Sequence, residues 1–284
     1  MAAPRQGQME RVGERPFDLM ASDYDLTLAT YPGGVVGRRT LDRLRQVRDL
    51  GVHLAIISGR GTVGLINNLR RHDLDFEGLY VVGYNGAEVT QGWDGTVLNS
   101  FTIEPDLVAE VMDEVKGFAV EAIVPHHDDI FTDLEDGILA RMEADHNHTA
   151  VTVVRDWAGL GVKPFKVLVG GEQADLILAA AHLEQSLGDR AEIAFSAPQL
   201  LEVNARGVSK GLALRALAEH LGLSLERTLS FGDNENDIPL LQTAGVGVAM
   251  GNALDSVKAI ADRVTTSVDE DGVADVLEEF FGLD

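Results

Sequence analysis

The segment MASDYDLTLAT (residues 20–30) places two aspartates, Asp23 and Asp25, directly after a short apolar run. The run FDLMAS (17–22) predicts a buried strand, so both aspartates follow its carboxyl end. Two carboxylates this close repel each other. A solvated polar turn would explain them without any function, whereas a site for a cation or for proton transfer would use both charges.

Strands and helices alternate on both sides of a long middle segment. Apolar runs of strand length are followed by stretches with apolar residues at helical spacing, which predicts parallel strands joined by helical crossovers. The fold class expected is therefore α/β, with a doubly wound, Rossmann-like parallel sheet. The predicted elements are helices over 37–51, 62–72 and 209–223 (with Ser209 as N-cap) and strands over 52–58, 79–83, 228–232 and 245–250.

The pattern changes between about residues 87 and 199. The segment 86–103 predicts a hairpin with an Asp94-Gly95 turn, and strands and helices then follow without regular alternation. We therefore predict a core formed by 17–86 and 200–284, with an inserted α+β domain at 87–199. Residues 1–16 lack the apolar run of about 7–15 residues found in a signal peptide. They are expected to be a flexible leader instead.

The composition excludes several classes of protein. The 284 residues include 46 acidic and 23 basic side chains, giving a formal charge of −23, and no cysteine. Such a surface repels nucleic acid and anionic membranes, and no stretch approaches the roughly 18 apolar residues of a membrane span. Disulfides, thiolate catalysis and cysteine-ligated zinc are excluded. A cytoplasmic protein, monomeric or weakly oligomeric, is expected.

Polar residues collect where the predicted strands end. Ligands of open α/β sheets bind at the carboxyl ends of the strands, so these residues should meet at one edge. Several carboxylates there suit Mg²⁺, while a hydroxyl and a lysine at helix starts suit phosphate. The residues collected in this way are Asp23, Asp25, Ser58, Gly59, Lys210, Asp233, Asn234, Asn236 and Asp237.

Four segments resemble, in order and spacing, the motifs of haloacid dehalogenase-like (HAD) phosphohydrolases. They are DYDLT, IISGR, GVSKG and GDNENDIPLL. The inserted domain is similar to the C2-type cap of the Cof-type (type IIB) sugar phosphatases. The resemblance extends from residue 17 to the C-terminus. The fourth segment matches a highly specific pattern, whereas SGR alone is a weak one.

The resemblance implies a mechanism for phosphate monoesters of small metabolites, most of all sugar phosphates. Asp23 would be the nucleophile that forms an aspartyl-phosphate, and Asp25 the general acid and then base. Lys210 would neutralise charge on the phosphoryl group. The cofactor would be Mg²⁺, bound directly by Asp23, Asp233 and the backbone carbonyl of Asp25. Asn234 would contact a metal-bound water, and Asp237 would orient a metal-bound water or Lys210.

The resemblance also suggests the residues that bind the substrate. Ser58 and the Gly59 N–H would hold phosphoryl oxygens, and Asn85 lies where the core enters the cap. The remaining candidates for substrate or phosphate binding are Tyr24, Thr27, Asn236 and, in the cap, Lys166.

One residue departs from the family pattern. The family usually has glycine after the second aspartate, and here Leu26 occupies that position. Leucine disfavours a positive φ. We therefore expect either an ordinary φ at this turn or a loop that differs slightly from the family's.

Other interpretations remain open. Gly59, Gly61 and Gly64 form a G-x-G-x-x-G pattern after a strand, as in dinucleotide-binding proteins, but no acidic residue ends the next strand. A sucrose-phosphate-like phosphatase or a phosphosugar mutase would use the same core motifs. A phosphosugar-binding pseudoenzyme would not need Asp25, and a phospho-acceptor receiver domain would lack the cap and the fourth motif.

The cap contains two histidine groups. One group is His126, His127, Asp128 and Asp129, and the other is His146 and His148. A metal site is conceivable there, but a solvated loop or a surface that faces the substrate is the simpler interpretation.

Overall fold

The computed structural model describes residues 15–31, 34–127, 129–147 and 149–284, with only the main chain described at 146 and 147. Most of the predicted leader, residues 1–16, lies outside this part of the chain, as do Asp128 and His148. The structure therefore does not test these predictions.

The strands and helices of the described residues have the following bounds. The strands are β1 (Leu19–Ser22), β2 (His53–Ile57), β3 (Leu79–Gly83), β4 (Glu88–Gln91), β5 (Val97–Ser100), β6 (Val120–His126), β7 (Asp129–Thr132), β8 (Ala150–Val153), β9 (Lys166–Gly171), β10 (Ala191–Ala197), β11 (Leu200–Ala205), β12 (Thr228–Gly232), β13 (Val246–Ala249) and β14 (Arg263–Val264). The helices are α1 (Arg38–Asp49), α2 (Thr62–Arg70), α3 (Pro105–Glu114), α4 (Ile138–Asn147), α5 (Gln173–Leu187), α6 (Lys210–Leu221), α7 (Ile238–Thr243), α8 (Asp255–Lys258) and α9 (Gly272–Phe281).

The larger sheet has β1 near its centre. Its order is β14-β13-β12-β1-β2-β3-β4-β5, and the strands from β14 to β3 are parallel. This arrangement confirms the predicted doubly wound core, and it brings the ends of β1, β2 and β12 together at one edge.

Both faces of this sheet are covered. Along β1, Leu19 and Ala21 pack into a cluster with residues of α6, whereas Met20 packs into the cluster that contains residues of α1, α2 and α9. Side chains alternate between the faces of a strand. The continuous apolar run of β1 is therefore the consequence of burial on two sides.

A second sheet, with the order β10-β11-β9-β6-β7-β8, lies in the middle of the chain. Residues of α3 and α5 share one of its apolar clusters, and residues of α4 share another. We call this sheet with α3, α4 and α5 the cap.

The sheet pairing places the junctions between core and cap at other residues than predicted. Strands β4 and β5 pair onto β3 and extend the core sheet, although the prediction assigned residues 87–100 to the insertion. Strand β11 pairs with β9 and β10 of the cap, although the prediction began the second core segment at residue 200. A hairpin has the same local pattern whichever sheet it joins, so only the long-range pairing decides. The division into two domains remains a prediction.

None of the helices in the described part of the chain has both the length and the apolar composition needed to span a bilayer.

Candidate active site

Asp23 and Asp25 lie at the carboxyl end of β1, where the chain turns sharply. The N–H groups of Leu28 and Ala29 both donate to the carbonyl oxygen of Tyr24, at 3.0 and 2.8 Å. This turn brings both aspartates to the same cleft. On a straight strand, residues two apart would share a face of the sheet but would lie one after the other along the strand. The structure therefore places the two carboxylates as the sequence predicted.

Lys210 joins Asp23 to a second aspartate. It is the first residue of α6, after Ser209, whose side chain accepts a hydrogen bond from the Leu212 N–H as expected of an N-cap. Lys210 Nζ lies 2.6 Å from Asp23 Oδ1 and 2.6 Å from Asp237 Oδ1. All three side chains are buried, so this is a charge-assisted contact with little screening by solvent.

Asp237 uses both of its carboxylate oxygens inside the protein. One oxygen contacts Lys210, and the other accepts hydrogen bonds from the N–H groups of Asp233 and Asn234, at 2.9 and 3.0 Å. Asp237 was expected near the metal, where it would orient a metal-bound water or Lys210. Its contacts hold Lys210 and the loop that follows β12.

Thr27 has a different contact from the one predicted. We expected it to bind substrate or phosphate, but its hydroxyl donates to Asp233 Oδ1 at 2.8 Å, and only 1% of the residue is exposed. Thr27 therefore orients Asp233, as outer residues orient the ligands of a metal site.

The acidic cluster meets the chemical requirements of a cation site. Oxygens of Asp23, Asp233 and Asp237 lie within 4.8 Å of one another, all in buried side chains. Three carboxylates and one lysine leave a formal charge of −2 there. Such a charge is costly in a buried site unless a cation compensates it, and a hard divalent cation takes oxygen ligands.

The pKa values of the cluster show the same imbalance. Burial, followed by repulsion from Asp237, raises the pKa of Asp233 to about 6, against the hydrogen bond from Thr27. Burial also raises the pKa of Asp23 well above its usual range, although Lys210 opposes the shift. For Lys210, burial acts to lower the pKa, but the attraction of the two carboxylates outweighs burial and raises it. The lysine therefore remains a cation.

Arg60 is a residue of this site that was not predicted from the sequence. Its guanidinium group donates to both oxygens of Asp25, at 2.6 and 2.7 Å, and its side chain is only 11% exposed. Bidentate contacts of this kind fix the plane of a carboxylate. The arginine was visible in the motif IISGR, but its partner lies 35 residues away and could not be inferred from the spacing.

Leu26 adopts a positive φ, the conformation that we expected leucine to disfavour. Its φ is 59°, in the left-handed region. The Leu26 N–H donates to the Ala29 carbonyl at 2.8 Å, and the Leu26 carbonyl accepts from Asn252 Nδ2 at 2.8 Å. These contacts on both sides hold the main chain in a conformation that leucine alone disfavours. The expected ordinary φ is therefore wrong.

The end of β2 supplies the expected hydroxyl. Ser58 is 2% exposed, and its Oγ accepts the Arg60 N–H at 3.2 Å. Ser58, Gly59 and Asn236 all line the same cleft as the two aspartates. The structure thus brings together these three predicted phosphate contacts.

Asn85 connects the core motifs to the cap through hydrogen bonds. Its Oδ1 accepts from Asn236 Nδ2 at 3.1 Å, and its Nδ2 donates to Glu202 Oε2 at 2.5 Å. Lys166 Nζ in turn donates to Glu202 Oε1 at 2.8 Å and to the Gly59 carbonyl at 3.1 Å. Glu202 was not predicted, although a charged residue inside the apolar run LLEVN was a signal for it.

Tyr24 does not lie where the prediction placed it. The residue is fully buried in the core cluster, and its hydroxyl donates to the Gly34 carbonyl at 3.2 Å. Its side chain therefore packs behind the site and does not line the cleft.

The cap histidines differ in position. His127 lines the cleft, and its N–H donates to the Tyr84 hydroxyl at 3.0 Å. His126 stacks on Phe165 with ring centroids 5.4 Å apart. Burial first, and the nearby His127 second, lower the pKa of His126 to about 4. The side chains of His146 and His148 lie outside the described residues, so the predicted second group is not tested.

The cleft between core and cap has a volume of about 480 Å³. Asp23, Asp25 and Lys210 form part of its core side, while Leu168 and Leu200 belong to its cap side. A cavity of this size accommodates a small molecule.

Two glycines of the G-x-G-x-x-G pattern, Gly59 and Gly61, serve local packing. A Cβ atom at Gly61 would lie 2.9 Å from the Tyr84 hydroxyl, and one at Gly59 would lie 3.2 Å from Asn85 Oδ1. Close approach of β2 to the residues after β3 therefore explains these two glycines without a dinucleotide.

Comparison with known proteins gives a consistent result. The model of the haloacid dehalogenase-like hydrolases matches residues 20–277. The 5-amino-6-(5-phospho-D-ribitylamino)uracil phosphatase of Bacillus subtilis (strain 168) is 30% identical over 277 residues, which cover 95% of this chain and 99% of the relative. An HMP-PP phosphatase of Citrobacter koseri is 30% identical over 238 residues, covering 83% of this chain and 85% of the relative.

Solved structures agree with the fold. A haloacid dehalogenase-like hydrolase from Bacteroides thetaiotaomicron superposes with a TM-score of 0.84 at 27% identity, covering 93% of this chain and all of the other. The HAD subclass IIB sugar phosphatase BT4131 superposes with a TM-score of 0.78 at 25% identity, covering 94% and 100% of the two chains. The predicted family, α/β fold class and phosphatase type of enzyme are confirmed, and the chain belongs to the haloacid dehalogenase-like hydrolases, in their Cof-type branch.

Proposed function

We propose that this protein hydrolyses phosphate monoesters of small metabolites by transferring the phosphoryl group to Asp23. The observation that carries the proposal is the buried contact of Lys210 with Asp23 and Asp237, at 2.6 Å each, with Asp25 on the same side of the cleft. A lysine fixed in this way holds the nucleophile in place and leaves a positive charge beside the incoming anion.

Asp25, which lines the same cleft as Asp23, is the residue that we propose for proton transfer. In the first step Asp23 attacks phosphorus while Asp25 donates a proton to the leaving alcohol. In the second step Asp25 accepts a proton from the water that hydrolyses the aspartyl-phosphate. Arg60 contacts both oxygens of the ionised Asp25 carboxylate, so we propose it as a positioning residue for the form that accepts a proton in the second step.

We propose Mg²⁺ as the cofactor, held by Asp23, Asp233 and the backbone carbonyl of Asp25. When bound, Mg²⁺ would offset negative charge on the carboxylates and on the phosphoryl oxygens. Asn234 stays a candidate for the water shell of the ion. Because both oxygens of Asp237 are occupied, we assign Asp237 to holding Lys210 and the loop after β12.

The phosphoryl oxygens would be bound by the Ser58 hydroxyl, the Gly59 N–H and the Asn236 amide. These groups line the cleft beside Asp23. Main-chain N–H groups and hydroxyls donate hydrogen bonds to phosphoryl oxygens without requiring a further charged side chain.

Two substrate classes follow from the comparisons. The sequence resemblance predicts sugar phosphates, and one similar structure is titled a sugar phosphatase. A curated relative is named for a phosphoribitylamino-uracil. A panel that contains both sugar phosphates and 5-amino-6-(5-phospho-D-ribitylamino)uracil would identify the preferred class. The cytoplasmic location and the monomeric or weakly oligomeric state remain predictions.

The test is hydrolysis of p-nitrophenyl phosphate with and without Mg²⁺, comparing wild type with Asp23→Asn. We expect Mg²⁺-dependent release of phosphate from wild type and almost none from the variant. Equal absence of activity in both proteins, across the substrate panel, would favour the phosphosugar-binding pseudoenzyme. Phosphate transfer to a second sugar phosphate in preference to water would favour the mutase.

A further inference from the structure

A buried ion pair lies where the cap meets the core. Lys166 of β9 and Glu202 of β11 are 2.8 Å apart, and their side chains are only 8% and 5% exposed. Charges this deeply buried are costly unless each one is paired and hydrogen-bonded. Both residues come from the cap, so the pair itself does not require the core.

Each member of the pair nevertheless makes its other contact with the core. Lys166 Nζ donates to the carbonyl of Gly59, at 3.1 Å, and Glu202 Oε2 accepts from Asn85 Nδ2, at 2.5 Å. Gly59 directly follows Ser58 at the end of β2. The cap is thus hydrogen-bonded to the loop that supplies two of the proposed phosphate contacts.

The contacts continue to the opposite side of the site. Asn85 Oδ1 accepts from Asn236 Nδ2 at 3.1 Å, and Asn236 belongs to the loop that contains Asp233. Asn85 has a φ of 57°, a conformation that asparagine tolerates better than most residues. Its amide is therefore held between Glu202 and Asn236, and an unbroken series of hydrogen bonds joins the loop after β2 to the loop after β12.

Stability alone is a weak reason for this arrangement. Replacing a buried ion pair by apolar side chains of similar volume is often neutral or stabilising, whereas removing one partner is strongly destabilising. What apolar side chains could not supply is the donor to Gly59 and the acceptor for Asn85. The first contact holds the loop after β2 at the Gly59 carbonyl, and the second holds Asn85, whose amide oxygen contacts Asn236.

We propose that Lys166 and Glu202 are positioning residues that set the phosphate-binding geometry of Gly59 and Asn236 from the cap. The inference rests on the proposed function, because it assigns a role at the same site. It replaces the expectation that Lys166 binds substrate directly. The cap then contributes to phosphate binding whichever leaving group it encloses.

The test compares Lys166→Met, Glu202→Gln and the double variant, with Mg²⁺ present. The measurements are the melting temperature, the dissociation constant of inorganic phosphate by calorimetry, and kcat and KM for p-nitrophenyl phosphate. Each single variant should melt at a lower temperature, because it leaves one buried group without its charged partner. The double variant has no unpaired charge, and the amide oxygen introduced by Glu202→Gln can still accept from Asn85, so it should melt at a higher temperature than either single variant.

Phosphate binding separates positioning from a purely structural contact. We expect the double variant to bind inorganic phosphate about tenfold or more weakly, as when outer residues of a site are changed, with a matching loss in kcat/KM. The control is Lys163→Met, which removes a lysine of the same cap that contacts Glu104 at 2.6 Å with both side chains exposed. The control should leave phosphate binding unchanged.

A folded double variant that binds phosphate like wild type would overturn the inference while leaving the phosphatase proposal intact. If the double variant does not fold, Glu202→Asp gives the same test, since it keeps both charges but shortens the reach to Asn85. We expect weaker phosphate binding there too, and unchanged binding would refute the role. A wild type that neither binds phosphate nor hydrolyses the ester would overturn both proposals.

Discussion

Replacing Lys210 by methionine tests the electrostatics of the site most sharply. The substitution keeps the apolar part of the side chain but removes the ammonium group from between Asp23 and Asp237. Both contacts are 2.6 Å long, and the side chains of Lys210, Asp23 and Asp237 are 1%, 8% and 0% exposed. Water therefore cannot take over the role of the lysine. The formal charge of the cluster falls from −2 to −3.

The expected loss of stability follows from this burial. Removing one partner of a buried ion pair costs about 3–5 kcal/mol. For chains of roughly this size, about 2–4 °C of melting temperature corresponds to each kcal/mol, which predicts a fall of roughly 6–20 °C in Mg²⁺-free buffer. Mg²⁺ should raise the melting temperature of the variant more than that of wild type, because the cluster it would bind is more negative.

Thermal denaturation by circular dichroism, with and without Mg²⁺, measures both effects. Lys163→Met is the matched control, since its ion pair with Glu104 is exposed and exposed pairs contribute at most about 1 kcal/mol. Hydrolysis by Lys210→Met should be almost abolished. A Lys210→Met protein that melts within about 2 °C of the control in Mg²⁺-free buffer would refute the assignment of a buried, stabilising lysine.

Three further predictions concern single side chains around the site. In urea unfolding, Leu26→Gly should be between equally stable and about 1 kcal/mol more stable than wild type, because it relieves about 1–2 kcal/mol of left-handed strain and glycine costs less than that in entropy. The control Leu50→Gly, at an exposed leucine with a φ of −77°, should be less stable than wild type. Equal losses in both variants would contradict the strain argument. Thr27→Val should raise the Mg²⁺ concentration for half-maximal activity about tenfold, because it removes the hydrogen bond to Asp233, and an unchanged Mg²⁺ dependence would argue against that role. His126 has a pKa of about 4 in the folded protein, against an ordinary value of 6.5. Between these pH values the unfolded chain binds more protons than the folded protein. The stability of the protein therefore falls as the pH decreases from about 6.5 to 4. His126→Phe keeps the ring contact and should reduce the fall in melting temperature between pH 7 and pH 5, and an undiminished fall would show that other groups cause it.

The local features of the site could be predicted because they depend on short segments. The apolar run before Asp23 indicated a strand, and Ser209 before Lys210 indicated a helix start. The rule that ligands bind at the carboxyl ends of parallel strands then placed residues from distant segments together. The acidic cluster of Asp23, Asp233 and Asp237 required no further information.

The contacts between distant residues could not be predicted in the same way. The partners Arg60 and Asp25 are 35 residues apart, and Asn85 and Glu202 are 117 residues apart, so no sequence period joins them. The φ of Leu26 depends on a hydrogen bond from Asn252, 226 residues away. Local propensity gave the tendency of the leucine, and the surrounding structure overrode it.

The most direct test of the account is to identify the residue that becomes phosphorylated. Asp25→Ala should still accept a phosphoryl group from an aryl phosphate with a good leaving group but hydrolyse the intermediate slowly, because the general base is missing. Rapid acid quench and peptide mass spectrometry, with Asp23→Asn as control, should find the phosphoryl group on Asp23. Full turnover by Asp25→Ala, or phosphorylation at another residue of an active enzyme, would contradict the account.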